Sequence, residues 1–125
     1  MNKNKCLNQC FFFFFCVWYL VGCVRVYDGH GGNAASRFLK DQLHHHILKS
    51  QYYPHSIQSS IVEGCKSCDL CCGETSGSTA VLCLVQESKL WFANVGDSEA
   101  VLSVHGRAVP MSKPHRPCEC NQRGK

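Results

Sequence analysis

The chain has 125 residues, 13 Lys and Arg against 9 Asp and Glu, and a net charge of +4, which bounds it to one small domain. Its positive charge is scattered with no dense basic run, which argues against a nucleic-acid groove. Eleven cysteines approach the density of a secreted disulfide scaffold, but the number is odd, so at least one thiol would be left unpaired.

In chain order, residues 1–10 are polar and carry Lys3 and Lys5, and residues 11–24 are almost wholly apolar, with five phenylalanines at 11–15. A basic start before a short apolar run has the form of a signal peptide, although the run is shorter than the ~20 residues that span a bilayer comfortably. Leu20-Val21-Gly22-Cys23 also fits a bacterial lipobox, a loose pattern. A third reading is a buried strand over residues 21–27 behind a leader that is not native, as from an altered 5′ end of the coding sequence.

The apolar run leads into Asp28-Gly29-His30-Gly31-Gly32. An aspartate where a strand gives way to a glycine turn sits at the end of a layer, open to a hard cation or a phosphate. The imidazole two residues on can donate a proton. From these residues alone an ordinary strand-to-helix turn is as good a reading.

Asn33 suits a helix N-cap. Ala35, Phe38, Leu39, Leu43, His46 and Ile47 recur at helical spacing and predict a helix packed on a sheet. Three consecutive helical residues point in different directions, so His44-His45-His46 reads as two solvated imidazoles and one at the boundary rather than a metal site. Residues 51–60 read as a loop, and residues 57–62 as the start of a short second helix. Cys65, Cys68, Cys71 and Cys72 follow. Such spacing suits zinc, with Cys118 and Cys120 as a second pair, or an iron–sulfur cluster, but a variable loop with incidental thiols is the stronger reading.

From Ser78 the period changes to two, with both faces mostly apolar, predicting a strand covered on both sides. Glu87-Ser88 is a turn, residues 90–95 a second strand ending at Gly96-Asp97, and residues 99–104 a third. His105-Gly106 reads as a hairpin turn with a return over residues 107–111, so the whole is expected to be an antiparallel meander. Pro110, Pro114 and Pro117 then interrupt regular structure, and residues 118–125 read as a polar, disordered tail. Asp28 and Asp97 each follow an apolar strand and adjoin glycine. If both strand ends share one edge, their oxygens favour Mg²⁺ or Mn²⁺ and His30 is placed to protonate a leaving group.

Three boxes, Asp28-Gly29-His30-Gly31-Gly32, Ser76-Gly77-Ser78-Thr79-Ala80 and Ala93-Asn94-Val95-Gly96-Asp97-Ser98, occur in this order. Together they resemble the metal-dependent serine/threonine protein phosphatases of type 2C (the PPM family). Met111-Ser112-Lys113-Pro114-His115-Arg116-Pro117 is similar to a fourth box of that family. The resemblance covers about the first half of a family domain. It implies an α+β fold, a β-sandwich of antiparallel sheets flanked by helices, incomplete in this chain. The expected division is an apolar leader over 1–24, the N-terminal half of a phosphatase domain over 25–117, and a tail over 118–125.

The resemblance also implies a reaction, hydrolysis of phosphoserine and phosphothreonine in phosphoprotein substrates by a metal-activated water. Asp28 would bridge two Mg²⁺ or Mn²⁺ ions, Gly29 would offer its carbonyl, Asp97 would serve a third ion, and His30 would be the general acid. The Ser76–Ala80 box would be mainly structural. A monomer without nucleic-acid or membrane partners, in the cytoplasm or nucleus, is expected, with a secretory or membrane-associated location if the leader is a signal sequence. The chain departs from the family pattern at several points. No phosphate-binding arginine or acidic ligand precedes Asp28, Glu99 stands where the family usually has arginine, and Pro114 stands where the fourth box has aspartate. Above all, the later aspartates that complete the family's metal site belong to the half of the domain not expected in this chain. The alternative is therefore a catalytically inactive pseudophosphatase or binding fragment of the same family.

Overall fold

The structure is a computed structural model that describes residues 9–13, 22–73 and 75–116. The signal-peptide reading of the leader, Cys118 and Cys120, and the polar tail lie wholly or mostly outside the described residues. Strands β1 (Gln9–Phe13), β2 (Gly22–Tyr27), β5 (Ala80–Gln86) and β6 (Lys89–Val95) form one antiparallel sheet in the order β1-β2-β5-β6. Two short pairs stand apart from it. One joins β3 (Gly29–His30) to β4 (Gly77–Ser78), the other β7 (Val101–Val104) to β8 (Arg107–Pro110). Helices α1 (Ala34–Leu48) and α2 (Ile57–Cys72) complete the expected class of antiparallel sheets with flanking helices.

The period of two decides which side chains meet the helices. Cys23 and Arg25 of β2 stand opposite Leu84 and Leu82 of β5, those leucines stand opposite Trp91 and Ala93 of β6, and Tyr27 follows Arg25 on the same face. This face packs with Leu43 and Ile47 of α1 and with Ile57, Ile61 and Cys68 of α2 to form the core. On the opposite face Val81 is buried, while Val24, Cys83 and Val85 are half-buried, so strand β5 is covered completely on the helix side and only in part on the other.

Helix α2 is far longer than expected and takes in the whole cysteine run. Ile57, Ile61, Cys68 and Gly64 lie buried at spacings of three and four, because a thiol packs like a small apolar side chain. Ser56 caps it by accepting from the Ser59 N–H, and Gly73 ends it in the left-handed region at φ 57°. The two helices touch most closely at Gly64, where an added Cβ would fall 2.7 Å from the Ile47 Cα.

Two further expectations change. Asn33 does precede α1, but its side chain makes no capping bond. Instead Ser76 Oγ accepts from the Ala35 N–H at 3.0 Å, so a distant hydroxyl caps the helix. The third and fourth strands leave the meander, because the chain turns away at Gly96 with φ 105°, and β7 pairs only with β8 among the described residues.

Arg25 is 2% exposed, inside the helix-facing side of the sheet. Its Nη1 donates to His44 Nδ1 at 2.8 Å, so His44 is neutral there, and of the three adjacent imidazoles His45 is exposed while His44 and His46 are half-buried, His46 bonding Ser67 at 2.8 Å. Burial first, then the Arg25 and His45 charges, lower His44 from its ordinary 6.5 to about 4, against an opposing pull from Asp41. Between those values the unfolded chain binds a proton that the folded chain refuses, so stability is full above about pH 6.5 and falls as pH falls toward 4. Because His44 is partly solvated, the loss is on the order of 1 kcal/mol. Urea unfolding at pH 7.5 and pH 4.5 should show this slope in the native chain and a flatter one in His44→Gln, which keeps an acceptor for Arg25.

Candidate active site

The chain leaves β2 at Tyr27, and Asp28 falls between β2 and the short β3. Its backbone is fastened on both sides by one residue. The Thr79 N–H donates to the Asp28 carbonyl at 2.9 Å, and Thr79 Oγ1 accepts from the Asp28 N–H at 3.2 Å. The same hydroxyl shares a 2.7 Å hydrogen bond with Ser98 Oγ, which anchors the loop after β6. Thr79 is 6% exposed, so these bonds are shielded from competing water. Gly96 completes the joint. With φ 105°, and with any added Cβ only 2.8 Å from Thr79 Cγ2, no other residue fits there without strain.

This joint brings the predicted residues to one place. Asp28, His30 and Asp97 line a single open cleft of about 510 Å³, with Ser78, Thr79, Val95 and Gly96 as its floor. Asp28 is half-buried, and His30 and Asp97 are exposed. Gly29 is not on the lining. It is buried behind the cleft, with Ser36 Oγ where a Cβ would go, 2.8 Å away.

The sequence reading missed the far wall. Residues 111–116 run back along the loop after β6. The Met111 N–H donates to the Ala100 carbonyl at 2.9 Å, and the Ala100 N–H donates to Ser112 Oγ at 2.7 Å. Asn94 Nδ2 donates to the Lys113 carbonyl at 3.0 Å, and the His115 N–H donates to the Gly96 carbonyl at 2.7 Å. His115 Nδ1 accepts from the Gly96 N–H at 3.3 Å. His115 and Arg116 thereby join the cleft lining. Glu99, the reversed charge beside Asp97, lies 3.5 Å from Arg116, with both side chains half or more exposed. Such a pair adds little stability, but it places a guanidinium at the rim.

Two carboxylates on an open cleft suit a hard cation such as Mg²⁺, which keeps several waters and takes one or two carboxylates. Their donor chemistry fits such an ion. Among the described residues no group of three or more His, Cys, Asp or Glu is placed to hold a metal, so these carboxylates supply only part of a coordination shell. The cysteine run does not offer a rival site. Cys68 lies in the core, Cys71 faces solvent, and burial, followed by the neighbouring thiols and Asp69, pushes Cys68 up to about 11. A thiol held protonated is a poor metal ligand.

Thr79→Val keeps the shape but removes the acceptor for the Asp28 N–H and the bond to Ser98, and should destabilise the fold by about 1–3 kcal/mol. Thr79→Ser, which retains the hydroxyl, should recover most of that in the same denaturant titration.

The family model for Protein phosphatase 2C matches residues 20–121. Protein phosphatase 2C homolog 2 of Aspergillus fumigatus is 35% identical over 100 residues, which are 74% of this chain and 23% of that protein. Probable protein phosphatase 2C 10 of Arabidopsis thaliana is 36% identical over 104 residues, 78% of this chain and 37% of that protein. The crystal structure of the Mycobacterium tuberculosis serine/threonine phosphatase PstP/Ppp superposes with a TM-score of 0.55 at 17% identity, covering 91% of this chain and 50% of that one. The chain thus spans much less than two thirds of the length of these relatives, while the family model covers most of the chain itself. With the three ordered boxes folded around one cleft, the chain belongs to the protein phosphatase 2C family.

Proposed function

We propose that residues 25–117 are the N-terminal half of a metal-dependent phosphatase domain, which hydrolyses phosphoserine and phosphothreonine in proteins. The observation that carries this reading is the common cleft of Asp28, His30 and Asp97. Asp28 would hold the cation, with Gly29 offering its carbonyl and Asp97 serving a further ion. A bound Mg²⁺ or Mn²⁺ supplies positive charge to the phosphoryl oxygens and makes a water more acidic.

The chain's own residues do the rest. Thr79 fixes the Asp28 backbone at both N–H and C=O, so the carboxylate needs little reorganisation to meet charge. His30, exposed at the cleft, protonates the departing serine or threonine oxygen. Arg116 and His115 at the rim offer donors to an anionic substrate. The substrates are phosphoproteins and the chain acts as a monomer. Among the described residues six cysteines carry free thiols, which suits the cytoplasm or nucleus, with a secretory route as the alternative if the leader is a signal sequence. No helix of the described residues is long and apolar enough to cross a membrane.

The small donor set among the described residues favours a second reading, a catalytically inactive relative that binds phosphoproteins without hydrolysing them. Phosphate release from a phosphothreonine peptide, with and without Mn²⁺, separates the two. The enzyme reading expects Mn²⁺-dependent turnover, abolished in Asp28→Asn and lowered roughly 10²–10⁴-fold in His30→Ala. Turnover no higher with Mn²⁺ than without it leaves the inactive reading standing.

A further inference from the structure

We propose that Gly77 is a positioning residue whose missing side chain forms the seat of the His30 imidazole. His30 and Gly77 are direct partners in the β3–β4 pair. A Cβ built on Gly77 would fall 2.7 Å from His30 Cε1 and 3.0 Å from Cδ2, and closer still to Nε2. The ring therefore lies across the space that any other residue at 77 would fill. Backbone conformation does not call for glycine here, because Gly77 is not among the positive-φ glycines and a β-region φ suits every L-residue. The neighbours of Gly77 are committed elsewhere, Ser76 to the cap of α1 and Ser78 to the Thr79 carbonyl. What remains for Gly77 is the ring.

The consequence is specific. His30 is exposed and its ring is the far end of a rotatable side chain, so a methyl group at 77 is relieved by moving the ring and not the backbone. The fold survives, but the imidazole is turned away from the position it holds at the cleft. This inference rests on the reading of His30 as the proton donor to the leaving oxygen. A proton donor matters for an alkoxide leaving group and little for an aryl oxide that departs as a stable anion.

Two measurements on the full chain test the seat, and they fail separately from the phosphatase reading. In NMR spectra of the native chain, cross-relaxation is expected between the His30 ring protons and the Gly77 Hα protons. Its absence overturns the proposal whether or not the chain is active. In the presence of Mn²⁺, the ratio of kcat on a phosphothreonine peptide to kcat on p-nitrophenyl phosphate should fall at least tenfold in Gly77→Ala. It should fall similarly in His30→Asn and no further in the double variant, since the two changes remove one function. Equal losses on both substrates, or a double variant whose ratio is the product of the single ones, assign Gly77 a merely structural role and overturn the proposal. A native chain that turns over neither substrate favours the inactive reading of the same family, and the ring contacts then decide the seat.

Discussion

The hydroxyl of Thr79 is the point on which the cleft depends. It accepts from the Asp28 N–H and bonds Ser98, while the Thr79 N–H takes the Asp28 carbonyl. Residues 28, 79 and 98 come from three separate boxes, and no ladder of the main sheet joins the chain at Asp28 to the loop after β6. A buried hydroxyl with its bonds satisfied contributes modestly, but leaving its partners unmet costs their full desolvation. That asymmetry makes the joint specific. The adjacent Ser76 extends the same box to the first turn of α1. A stretch that resemblance marks as structural thus fixes both the carboxylate at the end of β2 and the helix that follows it.

The opposite wall is a strap. Residues 111–116 are stitched to residues 94–100 by main-chain and side-chain bonds. This arrangement absorbs two of the departures from the family pattern. Pro114 offers no carboxylate, but it lies within a strap whose register is set by Asn94 and Gly96. Glu99 reverses a charge, and its carboxylate lies 3.5 Å from the Arg116 guanidinium of the strap.

Much of the fold was legible because its signals are local. The alternation of Ala80, Leu82 and Leu84 against Val81, Cys83 and Val85 belongs to a strand, and the stripe of Leu39, Leu43 and Ile47 to a helix. The cleft was legible where a carboxylate follows an apolar run and meets glycine, at Asp28 and Asp97. What was missed depends on partners distant in sequence. The spacing of Cys65, Cys68 and Cys72 suits ligands or loop thiols, yet with Ile57 and Ile61 they continue a helical stripe. The Asn33 cap was a sound local expectation overtaken by Ser76. Nothing near Arg25 announces that a guanidinium will be buried beneath α1, since its acceptor, His44, lies 19 residues away. The hydroxyl of Thr79, alone at the head of an apolar strand, was the one available hint of the joint.

The central claim is that folding gathers Asp28 and Asp97 at one cation-binding rim. Paramagnetic broadening by Mn²⁺, followed in the amide spectrum of the native chain, tests it most directly. The account predicts that the amides of Gly29 and Ser98, next to the two carboxylates, broaden together at the same low Mn²⁺ concentration, while those of the β7–β8 turn at His105 and Gly106 stay sharp. Broadening at only one of the two sites, or no preference over the rest of the surface, would contradict it.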